Sequence, residues 1–151
     1  MNHARPAALA AAGILLTALA ACSGGDGKPE LHALNGFVPQ PLMEDMAAGY
    51  VTVRNDGDAD DELTSVTTAL AGKVTLHTTE NNTMKQVKQL DVPAGGKLEL
   101  ARGGNHLMLE KLGRKPKVGE KVTLTLHFAR SEPIKVEVPV EPTTYRPPKK
   151  D

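Results

Sequence analysis

Apolar and polar side chains alternate along most of this chain, and no stretch holds a helical period. Val122, Leu124, Leu126 and Phe128 alternate with Thr123, Thr125 and His127; Ile134, Val136, Val138 and Val140 repeat the pattern. A period of two places successive side chains on opposite faces of a strand. By the same reading, strands are predicted over residues 31–38, 48–54, 62–70 and 97–100. Two more run through Val74 and Leu76 and from His106 through Leu107 and Leu109. Turn chemistry separates them: Asn55-Asp56-Gly57-Asp58, Pro93-Ala94-Gly95-Gly96, Arg102-Gly103-Gly104-Asn105 and Lys117-Val118-Gly119-Glu120. Residues 42–48 fit one helical turn or an irregular crossover. Short strands with regular Gly/Pro punctuation predict an all-β single domain over residues 31–140, an antiparallel sandwich or Greek-key barrel.

The two ends read differently. Residues 1–21 have the layout of an export signal: Arg5 supplies a positive start, and residues 7–18 form an apolar run too short to span a bilayer comfortably. Leu19-Ala20-Ala21-Cys22 then resembles a bacterial lipobox. That resemblance implies cleavage before Cys22 and lipidation of its thiol, with several acyl chains giving firm anchoring. The alternative is an ordinary secretory signal followed by a chance cysteine. With the lipid, residues 22–30 become an anchored cysteine and a flexible Gly-rich tether, and the domain sits outside the cytoplasm at the cell membrane. Residues 141–151, EPTTYRPPKKD, read as a disordered Pro-rich tail.

Composition narrows the function. The 151 residues include 18 basic and 18 acidic side chains, so no basic face invites nucleic acid. Aromatics make up 3% and Trp is absent, which argues against stacking platforms. One cysteine leaves no intrachain disulfide, no redox pair and no Cys-rich zinc site. The serines lack a nucleophile elbow, and neither a P-loop nor a dinucleotide fingerprint is present. These observations argue against an enzyme.

The remaining chemistry lies in residues 72–112. His77 alternates with Val74 and Leu76, while His106 and Met108 alternate with Leu107 and Leu109. If the leucines face the core, His77, His106 and Met108 face away from it. Met84 falls in the polar, loop-like run 78–85, where no core demands a thioether. Imidazole suits several transition metals, whereas thioether is soft and selects Cu(I). Taken alone, His106-x-Met108 reads more simply as a surface histidine and a gap-filling methionine. His127, among threonines on a clean strand, reads as a solvated surface residue, and His32 has no partner at ligand spacing. Met46 reads first as packing and second as a candidate support behind the ligands.

Several segments are similar to the PCuAC-type extracytoplasmic copper chaperones: residues 47–63, 72–77, 84–100, 103–112 and 119–128. The family pattern is a His, a Met after ten residues, twenty-one further residues, and then His-x-Met. Met84 and His106 enclose residues 85–105, which matches the long spacing, and Met108 completes the motif. His77 and Met84 enclose only residues 78–83, a shortening that falls in TTENNT, where a hairpin tip is expected. The resemblance implies a cupredoxin-like β-barrel holding one Cu(I) through His77, Met84, His106 and Met108. It also implies delivery to the copper-site subunit of a respiratory cytochrome oxidase, alongside a thioredoxin-like copper chaperone. Two other readings remain open from sequence: copper sequestration at the same site, and a metal-free interaction lipoprotein. Blue-copper electron transfer is excluded, because its His₂Cys set needs a cysteine that the lipobox has taken.

Overall fold

The computed structural model describes residues 27–149. The expected signal peptide and Cys22 lie outside the described residues. Ten strands form, and no helix does among the described residues. They are β1 (Leu31–Pro39), β2 (Met46–Asn55), β3 (Asp61–Thr67), β4 (Ala71–Glu80) and β5 (Thr83–Val87), followed by β6 (Leu90–Val92), β7 (Lys97–Glu99), β8 (His106–Leu112), β9 (Lys121–Phe128) and β10 (Ile134–Glu141). Residues 40–45 take the irregular crossover and not a helical turn.

The strand order is β5-β4-β8-β2-β1-β10-β9-β3-β6, with β7 pairing the distal half of β2. Two layers result, β5-β4-β8-β2-β1 and β10-β9-β3-β6, joined where β1 meets β10. That junction is parallel, Val38 opposite Val140 and Pro39 opposite Glu141, within an otherwise antiparallel ladder. Local patterning predicts antiparallel neighbours and carries no information about this pairing of the first and last strands. A bulge makes the junction. Asn35 has φ 55, and the β1–β2 register shifts between Leu34 and Phe37. At Gly36 a Cβ would collide with the Val138 side chain, so glycine lets β1 close onto β10.

The core is aliphatic. Val38, Val51, Val53, Leu63, Val92, Leu107, Leu109, Leu124, Leu126 and Val138 are all fully buried. These are the inward members of the alternating runs, and their burial supplies the main driving force for folding. Asn55 is the polar keystone. Its Oδ1 accepts from the amides of Glu30 (3.1 Å) and Gly57 (3.0 Å), and its Nδ2 donates to the carbonyls of Ala59 (2.8 Å) and Val92 (3.3 Å).

Both ends are more ordered than their composition suggests. The expected tether extends to residue 30, yet its last residues are pinned to the β2–β3 turn: the amides of Asp56 and Asp58 donate to the carbonyls of Glu30 and Lys28. The Pro-rich segment after residue 141 is likewise seated. Tyr145 meets Phe37 edge to face at 5.0 Å, Arg102 Nη2 donates to the Thr143 carbonyl (3.0 Å), and Thr143 Oγ1 donates to that of Gln40 (3.0 Å). A single aromatic anchor and two hydrogen bonds offset the Pro-rich composition that argued for disorder.

Candidate metal centre

Pairing register brings the four sequence-predicted ligands to one face of one sheet. On β4, His77 lies opposite His106 of β8, and Thr75 lies opposite Met108. On the other side of β4, Thr79 lies opposite Met84 of β5. Directly opposed residues share a face, and so do residues two apart on a strand. His77, Met84, His106 and Met108 therefore project from the same side, and Leu76 and Leu107 project from the other. Ala48 of β2 lies opposite Met108, and Met46 lies opposite Glu110. Met46 thus occupies the same face, one step along from Met108.

Two features differ from the sequence reading. Met84 sits on a strand and not in a loop. The β4–β5 connection is a two-residue turn, Asn81-Asn82, with φ of 49 and 61. Two consecutive left-handed residues make the tight hairpin turn that suits strand twist, and asparagine tolerates it. The shorter His77–Met84 spacing is absorbed there. Second, the face opposite the leucines is closed to water around Thr75 and His106 and opens toward Met84. Thr75 is 6% exposed and His106 7%, His77 and Met108 are half-buried, and Met84 is 56% exposed.

The imidazoles stack at 5.3 Å between centroids with 17° between planes. Each is held by one nitrogen. His106 Nδ1 lies 2.9 Å from the Gly104 carbonyl, which also accepts from Thr79 Oγ1 at 3.3 Å. A carbonyl only accepts, so the Nδ1 of His106 carries the proton. His77 Nε2 lies 2.9 Å from Thr75 Oγ1, which in turn donates to Glu110 Oε2 at 3.1 Å. The remaining nitrogens, His77 Nδ1 and His106 Nε2, are buried and meet no partner among the described residues. Burial, then the neighbouring His106, push the His77 pKa below its ordinary value, against a smaller opposing pull from Glu110. A neutral imidazole presents a lone pair at such a nitrogen.

Two buried imidazole lone pairs and two thioethers on one face form a neutral, soft donor set, fitted to a soft cation and poorly to a hard one. Among the described residues, no group of three His, Cys, Asp or Glu side chains converges as a harder or zinc-like site would require. His127 bonds Thr67 Oγ1 through Nε2 (3.0 Å) on the other layer, and His32 lies 3.5 Å from both Glu30 and Asp56. Neither joins the face. Sequence reasoning missed Thr75, Thr79, Gly104 and Glu110. Period two aligns Thr75 and Thr79 with His77, and Glu110 with Met108, but which residues lie across from them is a matter of register.

Residues 31–140 match the model of the LpqE-like family, described as "Putative lipoprotein LpqE-like". The chain belongs to the LpqE-like lipoprotein family. It is 34% identical over 101 residues to "Putative lipoprotein Lxx21020" of Leifsonia xyli subsp. xyli, an alignment covering 64% of this chain and 61% of that relative. Among solved structures, the apo PCuAC domain of PmoF2 superposes with TM-score 0.67 at 23% identity, over 76% of this chain and 92% of the domain. The Cu(I) form of DR1885 from Deinococcus radiodurans superposes with TM-score 0.63 at 34% identity, over 73% of this chain and 77% of that one. The PCuAC resemblance therefore holds for family and fold, and this LpqE-like chain is a cupredoxin-like β-sandwich.

Proposed function

We propose that this protein is an extracytoplasmic copper carrier that binds one Cu(I) through His77, Met84, His106 and Met108. The observation that carries the reading is the pair of buried, unpartnered nitrogens on His77 and His106, which share a sheet face with both thioethers. Leaving two buried acceptors unsatisfied costs about 1–3 kcal/mol each. A cation that accepts their lone pairs recovers that cost. The likeness to PCuAC domains supports copper, since one solved PmoF2 domain is copper-bound and DR1885 is solved with Cu(I).

The donor set also suits transfer. It carries no negative charge, so it holds Cu(I) without the grip of thiolates. Met84 stands half in solvent on the short hairpin, whereas His106 is buried. An incoming ligand from an acceptor would displace the exposed thioether first. In this reading Cys22 bears the lipid and keeps the domain at the cell membrane, and the acceptor is the copper-site subunit of a respiratory cytochrome oxidase, alone or with a thioredoxin-like copper chaperone. Membership of a lipoprotein family supports the anchor.

The test is anaerobic Cu(I) titration of the wild-type protein against a competing Cu(I) chelator, beside a Met84→Ala/Met108→Ala double variant. One tight equivalent, weakened in a variant with unchanged circular dichroism, is expected. No competition by the folded wild type would sink the copper reading. Transfer to a soluble oxidase copper-site domain, followed by that domain's own copper spectrum, then tests delivery.

A further inference from the structure

The two histidines are held in opposite senses, and the difference originates in residues outside the ligand set. His106 is fixed by the carbonyl of Gly104. His77 is fixed by a chain of side chains, Glu110 to Thr75 to His77, with separations of 3.1 Å and 2.9 Å. Thr75 is almost fully buried between them.

A hydroxyl has one hydrogen to donate, and a carboxylate oxygen accepts. The Thr75 hydrogen therefore goes to Glu110, and Thr75 faces His77 with a lone pair. His77 must donate to it from Nε2. That leaves Nδ1 as the bare nitrogen of His77, whereas the bare nitrogen of His106 is Nε2. Both bare atoms are those that lack a partner among the described residues. Such outer partners orient a ligand and settle its tautomer.

We propose, resting on the copper-binding reading above, that Thr75 and Glu110 are positioning residues. They lock His77 so that copper is bound asymmetrically, through Nδ1 of His77 and Nε2 of His106. Their register explains how they act together. Thr75 is two residues from His77 on β4, and Glu110 lies opposite Lys73, the next residue on that face. Lys73 Nζ approaches the same Glu110 oxygen at 4.0 Å and helps hold the carboxylate in place.

The experiment is long-range ¹H–¹⁵N correlation of the histidine rings in the full copper-free chain, paired with Cu(I) competition, for wild type, Thr75→Val and Thr75→Ser. The wild type is expected to show His77 protonated at Nε2 and His106 at Nδ1. Valine keeps the shape but removes the hydroxyl. His77 should then lose its single tautomer while His106 keeps its own, and Cu(I) affinity should fall about tenfold or more. Serine should restore both. His77 protonated at Nδ1 in the wild type, or a valine variant with unchanged tautomer or unchanged affinity, overturns the inference. The wild-type spectrum decides even if the valine variant does not fold. Expected tautomers in a wild type that binds no Cu(I) would instead overturn the copper reading, and the assigned role with it.

Discussion

His77 and His106 face each other across β4 and β8 as stacked rings 5.3 Å apart, each bonded through one nitrogen and bare at the other. Stacking two imidazoles is tolerable while both are neutral. Protonating either places a positive charge against its neighbour and fills a lone pair that a metal would use.

The pH behaviour follows from that pair. Burial and His106 hold the His77 pKa below its ordinary 6.5, despite Glu110. A depressed folded-state pKa means that the unfolded chain binds more protons just below 6.5, so stability falls as pH drops through that window and is flat in this term above it. Copper-free protein should therefore show a denaturation midpoint that declines below pH 6.5, and His77→Gln should lose part of this slope. Cu(I) affinity should hold as pH falls to 6.5 and decline only further down, where protons compete for Nδ1. Urea melts and chelator competition from pH 5 to 8 check both. An affinity that begins to fall well above 6.5 would contradict the depressed pKa of His77.

The Asn81-Asn82 turn places Met84, so its backbone should control affinity from a distance. Both residues lie in the left-handed region, with φ 49 and 61. That region costs a side chain with a branched Cβ about 1–2 kcal/mol. Asn82→Val should destabilise by about that much and weaken Cu(I) binding, although residue 82 is no ligand. Asn82→Gly should preserve both, because glycine is at home in this turn. Met84→Ala should separate the two effects: Cu(I) binding weakens while stability stays within about 0.5 kcal/mol, as expected for an exposed side chain. Chemical denaturation and competition titration on the three variants test this.

Much of the fold was legible in residues 120–140, where Val122 to Val140 alternate so cleanly that strand, face and core membership all follow. The candidate ligands were singled out through a resemblance, the long Met84–His106 spacing of the PCuAC pattern, because His106-x-Met108 by itself reads as a surface histidine and a packing methionine. What lay beyond reach was everything set by register. The parallel meeting of Val38 with Val140 joins residues a hundred positions apart. The burial of His106 and Thr75 depends on what crosses the sheet, and the strand character of Met84 depends on a turn that Glu80-Asn81-Asn82-Thr83 makes tight enough to keep pairing. Tail order was missed for a different reason: Pro content predicts disorder on average, and Tyr145 is a single anchor that an average does not see.

Asn55 should matter more than its polarity suggests. All four of its hydrogen-bonding positions are used, tying Glu30, Gly57, Ala59 and Val92 together at full burial. Asn55→Ala leaves several backbone groups without partners, at a cost of about 3 kcal/mol or more. Asn55→Asp should be nearly as harmful, because it turns a donor into an acceptor facing two carbonyls. Both should lower the urea midpoint strongly while the metal face, carried by β4, β5 and β8 of the same layer and not touched by Asn55, keeps its Cu(I) affinity in the fraction that remains folded.

The segment beyond β10 closes an aromatic cluster through Tyr145. Of the four Phe and Tyr residues in the chain, three gather there: Phe37 contacts Tyr50 at 5.1 Å and Tyr145 at 5.0 Å, and Arg102 lies 5.6 Å over the Tyr50 ring. Arg102 belongs to the same turn as Gly104, whose carbonyl holds His106. Tyr145→Ala removes one aromatic contact, worth about 0.5–1.5 kcal/mol beyond its buried area. It should also free the Thr143 carbonyl from Arg102 and loosen residues 101–105. Amide exchange should rise in that turn, and Cu(I) affinity should fall severalfold with His77, Met84 and Met108 untouched. Exchange confined to residues 142–149, with the turn still protected, would show that the tail is seated on the barrel without supporting the site.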